Sequence, residues 1–298
     1  MTQTLDLPPC THAHAREFLA QRWADILQRA DLPASTVIAM GGLPDKPTLL
    51  GGSTKVDKGD SYGFMSSVCY MSPANEATLD DGRTLCPHST AACRAACLGH
   101  NTGRMIMTPV MRARLWKTAL YLGARKVWRR LAHLEIEALE RKARRASQRD
   151  GRTWTPAVRI DGSTDTGEGQ RLAQHHPGVQ FWDYTKNHRR ALRVGEHGQE
   201  NYTLVYSHGE GIEQSRQVLD HGGAVAVVFD IKPGEPMPAT WLGFPVVNGD
   251  LFDNRHADRD IFGLLPRQGY VVGLSFKAAR DRDFHRQRGL LSGFIQPV

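Results

Sequence analysis

The sequence lacks any long hydrophobic run. Its 298 residues contain no stretch approaching the roughly 20 apolar residues that span a bilayer. The opening segment, MTQTLDLPPCTHAHAR, also lacks the basic and then apolar pattern of a secretory signal. We therefore expect a soluble, cytoplasmic protein without a membrane partner.

Cysteine is scarce, and its distribution is uneven. Five cysteines in 298 residues are too few, and odd in number, for the disulfide framework of a small secreted domain. Three of the five nevertheless fall in one short segment, LCPHSTAACRAACLGHNT, at residues 85–102. This clustering favours a metal or iron–sulfur site in a reducing compartment.

Several common catalytic motifs are missing. There is no Gly-x-Ser-x-Gly elbow and no dinucleotide-binding glycine pattern. Gly51 and Gly52 precede Ser-Thr-Lys, but the remaining P-loop glycine and its spacing are absent. The pair at 175–176, His-His, is followed directly by Pro177, which departs from the His-hydrophobic-His pattern of rolling-circle nucleases. These absences argue against a hydrolase with that elbow, a dinucleotide-binding enzyme and a rolling-circle nuclease.

Positive charge is concentrated in one segment. The formal net charge is +7, and twelve Lys or Arg stand against three Glu between residues 109 and 149. Such a segment favours a nucleic-acid or nucleotide partner, because basic side chains neutralise phosphates. We expect Arg129 and Arg130 to contact phosphate. The alternative is that modest basicity is common and carries no functional meaning.

The pattern of apolar residues predicts an α/β fold. Helical spacing marks residues 14–31 and the segment from Thr108 to about Ser147, which reads as one long helix or a helix pair. From residue 156 onward, six short apolar runs read as strands buried on both faces. The runs are PAVRI, VQFWDY, YTLVYS, AVAVVFDI, FPVVN and YVVGLSF. We predict a complete or partial (β/α) barrel with a cysteine-rich loop at 86–100, formed by residues 38–298 after an N-terminal helical extension, 1–37.

Polar residues follow most of the predicted strands. In barrel folds such positions carry the chemistry, although any loop tends to be polar. We assign substrate binding or acid/base chemistry to Asp161 and Asp165, and place Tyr184 and Lys186 at the mouth for stacking and phosphate binding. The expected cofactor contacts are Ser163, Ser207 and Glu210. The expected substrate or phosphate contacts are Asp250, Asp253, Arg255 and Lys277.

The segment GDLFDNRHAD at 249–258 has a second interpretation. Asp250, Asp253, His256 and Asp258 could hold a divalent cation through oxygen ligands and one imidazole. A polar loop beginning with an Asn-Gly turn accounts for the same residues.

The cysteine cluster allows three outcomes. Its spacing is Cys86-x6-Cys93-x3-Cys97, and three protein ligands leave one coordination position open. That favours a [4Fe–4S] cluster with an open iron. If His100 or Cys69 supplies a fourth ligand, a closed structural zinc site results. The third outcome is that the cysteines pack without a metal. We expect Cys10, in the N-terminal segment, to be a free cysteine.

A set of sequence blocks resembles a known family. LLGGSTKVDKGDSYGF, LCPHSTAACRAACLG, AVRIDGSTD, VQFWDYTKN, NYTLVYSHGEG, GGAVAVVFD and VVNGDLFDNRH occur in this order. Together they are similar to the gene product eighty-eight family of phage and prophage proteins, over roughly residues 48–276. The resemblance implies a phage or prophage-carrying host and no particular reaction.

A weaker resemblance is to radical SAM enzymes. In that family a three-cysteine loop binds a [4Fe–4S] cluster whose open iron is chelated by S-adenosylmethionine (SAM), and the order of cysteine loop, helix and strand with a polar turn is similar here. The usual cysteine spacing there is x3 then x2, whereas here it is x6 then x3. This resemblance implies SAM as a further cofactor.

The residues together predict a phage-derived iron–sulfur enzyme that acts on a nucleobase or nucleotide, free or within DNA or RNA. The alternative is a noncatalytic DNA-binding or replication accessory protein whose cysteines hold structural zinc.

Overall fold

The structure is a computed structural model that describes residues 11–97, 103–197, 199–277 and 282–298. The strands are β1 (Leu50–Gly51), β2 (Phe64–Cys69), β3 (Thr155–Arg159), β4 (Gln180–Thr185), β5 (Tyr202–Ser207), β6 (Ala224–Phe229), β7 (Thr240–Trp241), β8 (Phe244–Asn248), β9 (Tyr270–Ser275) and β10 (Ile295–Gln296). The α-helices of the described residues are α1 (His12–Ala30), α2 (Ala34–Met40), α3 (Thr54–Asp57), α4 (Ala91–Ala95), α5 (Thr108–Gly123), α6 (Arg125–Asp150), α7 (Glu168–Ala173), α8 (His188–His197), α9 (Ile212–Asp220), α10 (Asp258–Phe262) and α11 (Arg282–Leu291).

The strands form one mixed sheet. Its order is β1-β2-β3-β4-β5-β6-β9-β8-β7, and β10 pairs in parallel with β6. Strands β2 to β6, β9 and β8 run parallel, whereas β1 and β7 are antiparallel at the two edges. The predicted α/β class is confirmed. The sheet is open, since within the described residues β1 and β7 do not pair with each other, so a closed barrel is not seen.

The two faces of the sheet have different covers. Phe181 and Leu204 share a core with the long helices α1, α5 and α6, and Val225 and Val227 pack on α9. Alternate residues along a strand point to opposite faces. On the other face lie Ala157 and Trp182, with Val205, Ala226 and Val272 further along the sheet. Short segments cover that second face, and its carboxyl end stays open.

The N-terminal helices belong to the same core as the sheet. Helices α1 and α2 pack on α5, and the contact is close at Gly123, where a Cβ would lie 2.1 Å from the carbonyl oxygen of Ile26. The predicted boundary between residues 37 and 38 falls inside α2. None of the helices in the described part of the chain is both long and apolar enough to cross a membrane.

Candidate functional site

A cavity of about 360 Å³ opens between the cysteine segment and the carboxyl ends of the parallel strands. Carboxyl ends of parallel strands meet at one edge, so residues far apart in sequence gather here. The predicted site residues that line the cavity are Cys86, Cys93, Cys97, Asp161, Ser163, Asp165, Tyr184, Lys186, Ser207 and Lys277. We call it the cysteine cavity.

The three cysteines approach the cavity from one short segment. Thr90 caps α4 by accepting a hydrogen bond from the main-chain N–H of Cys93 at 3.1 Å, and the thiol of Cys86 donates to the carbonyl of Ser163 at 3.5 Å. Burial, and then the neighbouring sulfurs of Cys97 and Cys93, raise the pKa of the Cys86 thiol to about 12. At neutral pH the Cys86 thiol is therefore protonated unless a bound metal displaces its proton.

The cysteines fit a metal by donor chemistry and by their shared cavity. Thiolates are the preferred ligands of iron–sulfur clusters and of structural zinc, and a bound metal displaces the thiol protons. Within the described residues, however, no group of three or more His, Cys, Asp or Glu lies close enough to hold an ion in this structure. His100, the predicted fourth ligand, lies outside the described residues, as does Cys10. Cys69 is buried in the helix-covered core and is not among the residues that line the cavity.

Lys186 forms one wall of the cysteine cavity. Its ammonium donates to the carbonyl of Ser207 at 3.1 Å and to that of His208, and it lies 4.8 Å from the ring centre of Phe294. Burial lowers its pKa, and the neighbouring Cys93 and Glu210 oppose that shift. Lys186 also lines a second cavity of about 430 Å³, so it separates two spaces that a ligand could occupy.

Asp161 organises the turn after β3. It is fully buried, and its carboxylate accepts the hydroxyls of Thr164 and Thr166, at 2.7 and 2.8 Å, and the N–H of Gly167 at 2.9 Å. Ser163, in the same turn, donates its hydroxyl to the carbonyl of Met71 at 2.5 Å. These bonds shape the cavity wall and engage most of the hydrogen-bonding capacity of both side chains.

Asp165 organises the next loop. Its carboxylate accepts the hydroxyl of Thr185 at 2.9 Å, the main-chain N–H of Lys186 at 3.0 Å and the guanidinium of Arg190 at 3.0 Å. Burial raises its pKa, and the charge of Asp161 adds to that effect. Asp165 therefore holds Lys186 in position, while its predicted acid/base role remains a prediction.

Arg159 lines the cavity floor and is not among the site residues predicted from the sequence. Its guanidinium lies 4.5 Å from the ring centre of Tyr184 and pairs with Asp253 at 3.2 Å. Within the described residues, neither the Nε of Arg159 nor the hydroxyl of Tyr184 has a hydrogen-bond partner. The available signal was a lone arginine inside the buried apolar run PAVRI. A charge there requires a partner, and its remaining donor can meet a ligand.

The acidic segment after β8 does not converge on a cation. Asp250 binds Lys277 at 2.6 Å and is not among the residues that line the cavity. Burial opposes ionisation of Asp250, but hydrogen bonds from Lys277 and Ser275 together lower its pKa. Each of the other predicted ligands also has its own partner. These partners are Arg159 for Asp253, Thr203 for His256 and Arg255 for Asp258.

Other predicted contacts lie away from the cysteine cavity. Arg255 is fully buried, 3.3 Å from Asp258. Glu210 lines the neighbouring cavity and accepts the N–H of Ala92 at 2.8 Å, which ties the cysteine segment to the loop after β5. Arg129 pairs with Glu168 at 2.7 Å. Neither Arg129 nor the half-buried Arg130 lines the cavity.

Only some of the basic side chains between residues 109 and 149 are exposed to solvent. Arg114 is buried against Glu76, and Lys117 is buried with its ammonium on the carbonyl of Leu49 at 2.7 Å. The exposed basic residues at the end of α6 are Arg141, Lys142, Arg144, Arg145 and Arg149. Because α6 leads into the start of β3, this patch lies at the amino edge of the sheet, opposite the cysteine cavity.

The fold and the site define an α/β protein with an open, mostly parallel sheet and a cysteine-lined cavity at the carboxyl edge of that sheet. Residues 48–288 match the family described as Gene product 88, and the chain belongs to that family. The resemblance noted in the sequence blocks is thereby confirmed, whereas the resemblance to radical SAM enzymes gains no support. No curated protein and no solved structure matches the chain.

Proposed function

We propose that the chain is an iron–sulfur enzyme that acts on a nucleotide or nucleobase, with the cysteine cavity as its active site. The observation that carries the proposal is the meeting of three cysteines with Lys186 and Lys277 around one cavity. Structural packing alone does not require three cysteines and two lysines to line the same space. Cys86, Cys93 and Cys97 would hold the metal.

A [4Fe–4S] cluster with three cysteine ligands supplies electron transfer and one iron that is open to a further ligand. The chain supplies the recognition. Arg159 lies on the floor and Lys186 and Lys277 on the walls. Each already has a partner in the protein, respectively Asp253, the carbonyls of Ser207 and His208, and Asp250, but each has more N–H groups than these contacts use. Asp161 and Asp165 are engaged by neighbouring donors. Since Lys and Arg donate and do not accept, this lining suits an anionic substrate. A phosphate on the substrate would be neutralised by these cations.

The size and placement of the cavity favour a free nucleotide over a base within a polymer. About 360 Å³ accommodates a small ligand. The exposed basic end of α6 leads into the start of β3, at the amino edge of the sheet, whereas the cavity opens at the carboxyl edge. A polynucleotide bound along that end would not reach the cysteines directly.

The test is anaerobic purification followed by metal analysis and an absorbance spectrum. We expect about four irons per chain and broad absorbance near 400 nm, both lost in Cys93→Ala. Cys69→Ala is the matched control, because Cys69 is a buried cysteine outside the cavity and its loss should leave the iron content unchanged. One zinc per chain would instead support the accessory protein with a structural zinc site. Absence of metal, or equal iron loss in both variants, would refute the proposal.

A further inference from the structure

A separate cavity of about 410 Å³ lies at the amino edge of the sheet, where β5, β6 and β9 begin. It shares no lining residue with the cysteine cavity. Its walls carry Arg255, Arg259, Arg267, His221 and His256, and none of its lining residues is an Asp or Glu. We call it the arginine cavity.

Hydrogen bonds from Arg259 and a close backbone contact at Gly222 join the two loops that border the arginine cavity. Arg259 donates to the carbonyls of Leu265, Gly222 and Gln268 at 2.6, 2.9 and 3.0 Å, which ties the loop before β9 to the loop before β6. At Gly222, with φ at +77°, a Cβ would lie 2.3 Å from the carbonyl oxygen of Arg267. The two loops can approach this closely only because residue 222 is glycine.

Among the three arginines that line this cavity, Arg267 differs from Arg255 and Arg259 in how its guanidinium is engaged. Its side chain is exposed, and within the described residues it makes no ion pair or hydrogen bond through its guanidinium. Its backbone adopts φ +59°, a left-handed conformation that is costly for a residue with a Cβ. Deeper in the cavity, Arg255 is paired with Asp258 at 3.3 Å. Arg259 keeps its positive charge but donates to three carbonyls, so the donors available to a ligand are concentrated at Arg267.

We infer that the arginine cavity binds a phosphorylated small molecule of nucleotide size. Guanidinium groups present forked donors that match phosphate oxygens, and they remain charged at all physiological pH values. The volume lies in the range of small-ligand sites. Arg267, on the loop before β9, can offer its guanidinium to a phosphate, and Arg259, on α10, adds a second positive charge to the same cavity. This inference is independent of the chemistry proposed for the cysteine cavity.

The test is a calorimetric titration of the full-length protein with ADP at low salt. We expect a site that Arg267→Gly weakens at least about tenfold, and at this site adenosine should bind at least about tenfold more weakly than ADP because it lacks phosphates. Glycine at 267 adopts the left-handed backbone without strain, so this variant should fold normally. Arg288→Ala, which removes an exposed arginine on α11, is the matched control that should bind as the wild type does.

Three results would overturn the inference. The first is the absence of ADP binding. The second is wild-type ADP binding in Arg267→Gly, which would assign the bound ADP to another part of the chain. The third is equal affinity for adenosine and ADP, which would remove phosphate as the recognised group.

Discussion

Replacement of Asp183 by asparagine should make the protein less sensitive to rising pH. Asp183 is fully buried in β4 and accepts the main-chain N–H of Asp161 at 2.7 Å. Burial, with the charge of Asp161 as a second cause, raises the pKa of the Asp183 carboxyl to about 8. The folded protein therefore holds a proton here at neutral pH that the unfolded chain releases. Asparagine imitates the protonated acid in shape and in charge.

The sign of the effect follows from this difference. A carboxyl whose folded pKa is raised contributes its full stability below the unfolded value of about 4 and loses it as the pH rises towards 8. Between those limits, each pH unit lowers the free energy of unfolding by about 1.4 kcal/mol from this group alone. Asparagine does not titrate. The stability of Asp183→Asn relative to the wild type should therefore rise by about 3 kcal/mol from pH 5 to pH 7.

Urea unfolding of both proteins at pH 5, 6 and 7 measures this change, because titrating groups that do not interact with Asp183 cancel in the difference. Asp220→Asn, which alters an exposed carboxyl at the end of α9, is the control and should give a nearly constant difference. A constant difference for Asp183→Asn would refute the reasoning. It would mean that the carboxylate is ionised in the folded state, with Arg190 and Arg159 outweighing the cost of burial.

Three further changes test the packing around the site. Gly169→Ala should destabilise the fold by at least about 1–3 kcal/mol, because its Cβ would lie 1.9 Å from Oδ2 of Asp183; an unchanged urea midpoint would contradict this contact. Glu135→Ala should lower the free energy of unfolding by about 1–3 kcal/mol for each of the N–H groups of Leu49 and Leu50 that it leaves unpaired. Urea unfolding measures this loss, and Glu135→Gln should lose less stability. Arg255→Met should lower the free energy of unfolding by about 3–5 kcal/mol by stranding the buried carboxylate of Asp258. The double variant Arg255→Met/Asp258→Leu should recover most of that loss, and an equal loss in both would argue against a stranded charge.

The strands were predictable because burial on both faces leaves a continuous apolar run. YTLVYS at 202–207 coincides with β5, and the other five runs each overlap a strand by most of their length. The leading helix, predicted at 14–31, is α1, and the long basic segment is the pair α5 and α6, which part at Ala124. These elements are specified locally, by side-chain periodicity and by capping residues.

The order of the strands was not predictable in the same way. β9 inserts between β6 and β8, and the sheet stays open at β1 and β7. An apolar run records that a strand is buried but not which strand lies beside it. Neighbours are chosen by long-range packing, and closure depends on strand number and stagger, neither of which a single run encodes.

For the site, the family, the clustered cysteines and the polar residues at the strand ends could all be identified in the amino-acid sequence. Asp161, Lys186 and Lys277 meet at one cavity because parallel strands share a carboxyl edge. Which charges remain available to a ligand depends on contacts that form only when the chain folds. Arg159 and Asp253 are paired across 94 positions of the chain, Arg114 and Glu76 across 38, and Arg255 is buried beside Asp258. A buried charge must find a partner, and that partner is set by the fold rather than by sequence spacing.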